Sequence, residues 1–143
     1  MFKKIFKKKS KENTETQFTL VAALLIHAAK IDENYTDSEK DIIKKAIMQL
    51  KKTDLDEANK IFLTAENKEK ESNQIIEFTK EIKKSSMDFR LKVIEIIWKI
   101  VYSDATSDSY ESSLIRRISG LLYISDKDNG LVKKKVLSKL NKF

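Results

Sequence analysis

The chain has 143 residues with no cysteine, no proline and only two glycines, and it carries a formal charge of +7. That length suits one domain, with enough core to fold without staples. The missing cysteines exclude disulfides and thiolate metal sites, and they fit a reducing cytoplasm. So few backbone breakers, in a chain rich in Lys, Glu, Leu and Ile, predict helix throughout.

The basic charge is not evenly spread. Residues 1–11 hold six lysines and residues 132–143 hold five, with no acid in either run, so the stretch between carries 22 acids against 18 bases. A nucleic-acid-binding domain usually shows its basic face on the folded body, and here that body is mildly acidic by composition.

In chain order, residues 1–14 read as a basic, flexible segment, and residues 15–143 as one helical domain. Phe2, Lys3, Lys4, Ile5, Phe6, Lys7, Lys8 and Lys9 admit two readings. They form a solvated, frayed terminus, or a peripheral contact in which the three apolar side chains meet a membrane surface and the lysines meet anionic headgroups. The lysines followed by the apolar run Leu20 to Ala29 have the outline of a signal peptide. Glu12 and Glu15 interrupt that outline, and the run has a counterpart deep in the chain. No stretch reaches the roughly 20 apolar residues that a bilayer span needs.

A helix apolar on nearly every face is predicted over residues 15–31, with Phe18, Val21, Leu24, Leu25, Ala28 and Ile31. A second begins near Asp37 and carries Ile42, Ile43, Ala46, Ile47 and Leu50 at helical spacing. Thr53 is expected to cap a third, with Leu55, Ala58, Ile61 and Phe62 inward, and a fourth is expected over 68–84. Ser86 is expected to cap the fifth, which buries Val93, Ile94, Ile97, Trp98 and Val101. A sixth spans 109–123, and a last one starts after Ser125, breaks at Asn129-Gly130 and runs into a lysine-rich tail. Trp98 is expected in the core, facing the first helix.

An internal repeat appears at a shift of 72 residues, with units near 20–50 and 92–122. Leu25, Ala29, Asp32, Glu39, Ile42 and Ile43 fall on Ile97, Val101, Asp104, Glu111, Leu114 and Ile115, and Lys44-Lys45 falls on Arg116-Arg117. Each copy reads as a buried helix, an Asp, six residues, a Glu and an amphipathic helix. Two such hairpins related by a pseudo-twofold axis bring their acidic turns to one end of the bundle.

Those acids are the candidate site. Thr36-Asp37-Ser38-Glu39 has the pattern of a capping box and Asp108 to Glu111 its aspartate variant, which gives both glutamates a structural role as the alternative. Asp32 and Asp104 sit where a helix dipole disfavours negative charge, so a cation beside them would relieve a cost; plain turn chemistry is the other reading. A calcium EF-hand is excluded, because its sixth and twelfth loop positions hold Asp37 and Ile43 in one copy and Ser109 and Ile115 in the other.

The repeated helix–Asp-x6-Glu–helix pattern, the run Ile96-Ile97-Trp98-Lys99-Ile100-Val101-Tyr102-Ser103-Asp104 and the run Glu111-Ser112-Ser113-Leu114-Ile115-Arg116-Arg117-Ile118 resemble the TerB tellurite-resistance family. The resemblance covers about residues 18–140 and is closest to a small stand-alone branch. It implies an all-α bundle of about seven helices and divalent metal binding through Asp32, Glu39, Asp104 and Glu111. It also implies a part in stress or tellurite-resistance systems tied to the membrane. The turns depart from the family in reading Asp32-Glu33 and Asp104-Ala105, where Asp-Gly is common.

Nothing points to an enzyme. The lone His27 lies in an apolar helix and reads as a hydrogen-bonded core residue, with Leu24 where a helical di-iron site needs Glu. No Gly-rich phosphate loop or nucleophile–base pattern is present, and no small-molecule substrate or organic cofactor is suggested. The expected function is a cytoplasmic binding module that takes Ca²⁺ or Mg²⁺ on hard carboxylate oxygens and serves a protein partner, a membrane protein among the candidates. The alternative is a metal-free adaptor at the inner membrane face that uses its basic ends.

Overall fold

A computed structural model describes residues 17–31, 35–72, 74–104 and 109–140. Among them are seven α-helices and no strand: α1 (residues 17–29), α2 (Asp37–Lys51), α3 (Leu55–Glu71), α4 (Ile76–Ile82), α5 (Met87–Val101), α6 (Ser109–Leu121) and α7 (Asp126–Leu140), with a 3-10 turn at Tyr102–Asp104.

The two helices predicted to be largely buried, the first and the fifth, form the interior. In α1 the stretch Leu20 to Ile26 is buried without interruption, with Ala28 and Ala29 beyond it. In α5 Val93, Ile94, Ile96, Ile97, Trp98, Ile100 and Val101 are buried. Helices with so wide an apolar surface are stable only where neighbours cover most of their sides. Here α2 packs on α3 and α5, and α5 packs on α6 and α7, while α6 also meets α4 and α7. The start of α1 reaches α5 through an edge-on contact of Phe18 with Phe89, centroids 6.2 Å apart.

The repeat is visible in the backbone and extends one helix further than the sequence pattern. α1 and α5 end at residues 29 and 101, and α2 and α6 begin at residues 37 and 109. Both second helices then close through a left-handed non-glycine residue, Lys52 and Tyr123, each with φ 58°. The following N–H returns to the helix in each case: Thr53 to Met48 O at 3.1 Å, and Ile124 to Ser119 O at 2.8 Å. The third helices then start alike. Asp54 Oδ1 accepts from Glu57 N–H at 2.9 Å, and Ser125 Oγ accepts from Asp128 N–H at 3.1 Å. The unit is therefore three helices, α1–α3 and α5–α7, joined through α4.

Several expectations are corrected. Asp54, not Thr53, caps α3; Thr53 Oγ1 instead donates to the Glu57 carboxylate. Residues 68–71 complete α3, and the fourth helix is only Ile76–Ile82, because Phe78, Thr79 and Ile82 alone turn inward there. α7 passes unbroken through Asn129-Gly130. Asn129 there is held by Trp98, whose Nε1–H donates to Asn129 Oδ1 at 2.9 Å, so the polar contacts of this buried indole run to α7 and not to α1. Ser86 caps α5 as expected, accepting from Phe89 N–H at 3.2 Å.

Candidate functional site

The described part of the acidic end is built where α1 stops and α2 starts. Thr36 has an extended backbone and closes a complete capping box. Its Oγ1 accepts from Glu39 N–H at 3.1 Å, while Glu39 Oε1 accepts from Thr36 N–H and from Thr36 Oγ1, both at 3.0 Å. This satisfies backbone donors that a helix start leaves open. Glu39 is only 3% exposed, unusual for a carboxylate. Its capping role is real, and so is its burial at the first turn of α2.

Behind Glu39 lies a polar network that sequence reasoning missed. Tyr35 donates its hydroxyl to Glu66 Oε2 at 3.2 Å, and Lys40 and Lys30 lie over its ring at 4.8 and 5.6 Å from the centroid. Glu69 draws Lys30 Nζ to 2.7 Å and His27 Nδ1 to 3.3 Å. Burial pushes the Tyr35 hydroxyl well above the usual tyrosine range, helped by the charge and hydrogen bond of Glu66 and then by the charges of Glu69 and Glu39. Three carboxylates thus converge on one phenol, with lysines as counter-charges. His27 is hydrogen-bonded as expected, yet it is half exposed at the end of α1 and not in the core.

The signal for Glu66 and Glu69 was present in the sequence. They continue the inward stripe of Ala58, Ile61, Phe62 and Ala65 along α3. Acids that extend an apolar stripe need polar partners from another element; the end of α1 supplies them for Glu69, and Tyr35, just before α2, supplies one for Glu66.

Of the four predicted metal residues, Glu39 is described in full. Asp32 lies outside the described residues. Asp104 and Glu111 fall on described backbone, in the 3-10 turn and in α6, but their side chains lie outside. The positions following the turn acids, Glu33 and Ala105, lie outside too, as do Phe2, Lys3, Lys4, Ile5, Phe6, Lys7, Lys8 and Lys9. Among the described residues no group of three or more His, Cys, Asp or Glu is arranged to hold a metal ion. Glu66 and Glu69 are instead engaged by Tyr35, His27 and Lys30. A set made only of Asp and Glu oxygens suits a hard cation such as Ca²⁺ or Mg²⁺, and Glu39 Oε1 already accepts two hydrogen bonds.

The family model described as "Tellurite resistance protein TerB" matches residues 18–134, from the start of α1 to the middle of α7. The chain belongs to the TerB family. No curated protein and no solved structure matches it. The TerB match reaches from the first three-helix unit through the connecting α4 into α7 of the second, so both copies of the repeat lie inside the family's domain. Among the described residues, no helix is long and apolar enough to cross a membrane.

Proposed function

We propose that this TerB-family chain is a non-enzymatic binding module that takes a hard divalent cation, Ca²⁺ or Mg²⁺, at its acidic end. It then serves a protein partner in a stress- or tellurite-response complex at the inner face of the membrane. Asp32, Glu39, Asp104 and Glu111 would hold the ion, one Asp and one Glu from each repeat. The observation that carries the reading is Glu39, a carboxylate 3% exposed at the first turn of α2. In sequence Asp32 and Asp104 follow α1 and α5, where a helix dipole disfavours negative charge, and a bound cation would remove that penalty while pinning the two hairpins together.

The test is thermal unfolding in EDTA and then with millimolar Ca²⁺ or Mg²⁺, for wild type and Asp32→Asn/Asp104→Asn. An ion at about 100 times its dissociation constant stabilises by about 2.7 kcal/mol, a shift of several degrees for a domain this size. A rise in the wild type alone supports the reading, and superimposable curves refute it.

A metal-free membrane-peripheral adaptor is the second reading. What favours it is the row of exposed lysines on the helical part of the basic C-terminal run.

A further inference from the structure

Lys133, Lys134, Lys135 and Lys139 are not a loose tail. They belong to α7, which docks on α5 through the buried Val136, the Trp98–Asn129 hydrogen bond and Lys133 lying 5.2 Å over the Trp98 ring. Trp98 meets positions 129 and 133, while Glu95 meets Lys135 at 3.3 Å and Lys139 at 3.7 Å, so the two helices run antiparallel. Their outer sides form one continuous face.

That face is strongly basic. Lys92 and Lys99 are exposed on α5, one turn either side of Glu95, and Lys127, Lys134, Lys135 and Lys139 are exposed on α7. The acids of the two helices are Glu95 within the seam, Asp88 at the far end of the α5 stripe, and Asp126 and Asp128 in the first turn of α7, so lysines outnumber acids. One carboxylate shared by two ammonium groups anchors α7 without neutralising it. Lys135 and Lys139 stay 59% and 58% exposed even beside Glu95. Lys92, Lys99, Lys127 and Lys134 make no ion pair among the described residues. Amid these lysines Leu131 is 56% exposed, on the same side of α7 as Lys127, Lys134 and Lys135.

We infer that the α5–α7 face docks on an anionic phospholipid bilayer, with Leu131 entering the interface and the lysines facing the headgroups. An apolar side chain ringed by lysines on a surface helix is the composition of an interfacial contact. Nucleic acid would be drawn by the same charge, but only non-specifically, since specific or single-strand binding needs base-reading groups or aromatic platforms. The aromatic of this region, Trp98, is buried with Tyr102 stacked on it at 5.6 Å, and Leu131 gives phosphates nothing to bond.

The inference rests on the membrane-peripheral reading and moves its contact from the N-terminal segment to the folded body. Each lysine near an anionic surface contributes about fivefold in partitioning, so three contribute roughly a hundredfold.

The experiment is co-sedimentation of the full chain with vesicles of equal phosphatidylglycerol and phosphatidylcholine, or of phosphatidylcholine alone. It compares wild type, Lys134→Gln/Lys135→Gln/Lys139→Gln, Leu131→Ser, and a chain with Lys3, Lys4, Lys7, Lys8 and Lys9 each replaced by Gln. Circular dichroism and Trp98 emission confirm that each variant is folded. The expected result is binding to the anionic vesicles only, a drop of roughly a hundredfold for the α7 triple variant and a smaller drop for Leu131→Ser.

If the α7 variants bind as wild type while the N-terminal variant does not, the membrane reading survives and this inference fails. If wild type ignores anionic vesicles, both fail. If a DNA duplex binds wild type more tightly than the vesicles do, and the triple variant loses it, the face belongs to nucleic acid and the inference is overturned.

Discussion

Replacing Asn129 with Ala removes the acceptor of the Trp98 Nε1–H bond, 2.9 Å long, from an indole only 3% exposed. A buried donor left without a partner costs about 1–3 kcal/mol. Ala is a better helix former than Asn, returning roughly 0.5 kcal/mol in the middle of α7. The net expectation is a loss of about 1–2 kcal/mol, or several degrees in Tm for a domain of this length. The decisive form is a double-mutant cycle followed by urea unfolding, with circular dichroism as the probe common to all four proteins. Phe at position 98 carries no donor, so in the Trp98→Phe background Asn129→Ala should be neutral or stabilising by a few tenths of a kcal/mol. An equal loss in both backgrounds would show that Asn129 acts through something other than the indole. The clasp of α7 onto α5 would then have to be explained by Val136 and the lysine contacts alone.

Substitutions at two further positions test the surroundings of Glu39. Glu39→Gln keeps an acceptor for Thr36 and should stay within about 0.5 kcal/mol of wild type, whereas Glu39→Ala loses the box and should cost about 1–2 kcal/mol. If Gln is as costly as Ala in chemical unfolding, the charge itself matters and the cap is not the whole role. Tyr35 has a raised pKa, so the folded chain keeps its proton at a pH where the unfolded chain has released it, and the unfolded state binds fewer protons. Its contribution is therefore fully present below the ordinary tyrosine pKa of about 10 and fades as pH rises above it. The stability difference between wild type and Tyr35→Phe, measured from urea midpoints, should fall from about pH 10 upward, and a flat difference would contradict the described surroundings of Tyr35.

How much of this could be read in the chain depended on whether the determining interaction was local. The capping box at Thr36 and Glu39, Ser86 as a cap, and the near-continuous apolarity of α1 follow from neighbours within a few residues. The repeat was legible because both copies preserve the same helix–turn–helix spacing. Its third helix was not, because Asp54 and Ser125 share no identity, only the ability to accept a hydrogen bond from three residues on. Asn129-Gly130 reads locally as a helix break. It is helix here because the Asn side chain is spent on an indole 31 residues away, not on its own backbone.

By itself, then, the sequence determined an all-helical TerB-family domain, its two buried helices and the matching spacing of its two helix–turn–helix units, all consequences of period, caps and composition. Only the tertiary structure decided that Glu66 and Glu69 stand behind Glu39 around Tyr35, and that the C-terminal lysines form a docked face with Lys92 and Lys99 of α5. Those groupings join side chains from helices far apart in the chain, and their partners were chosen by how the apolar stripes pack, a long-range condition that no window of residues contains.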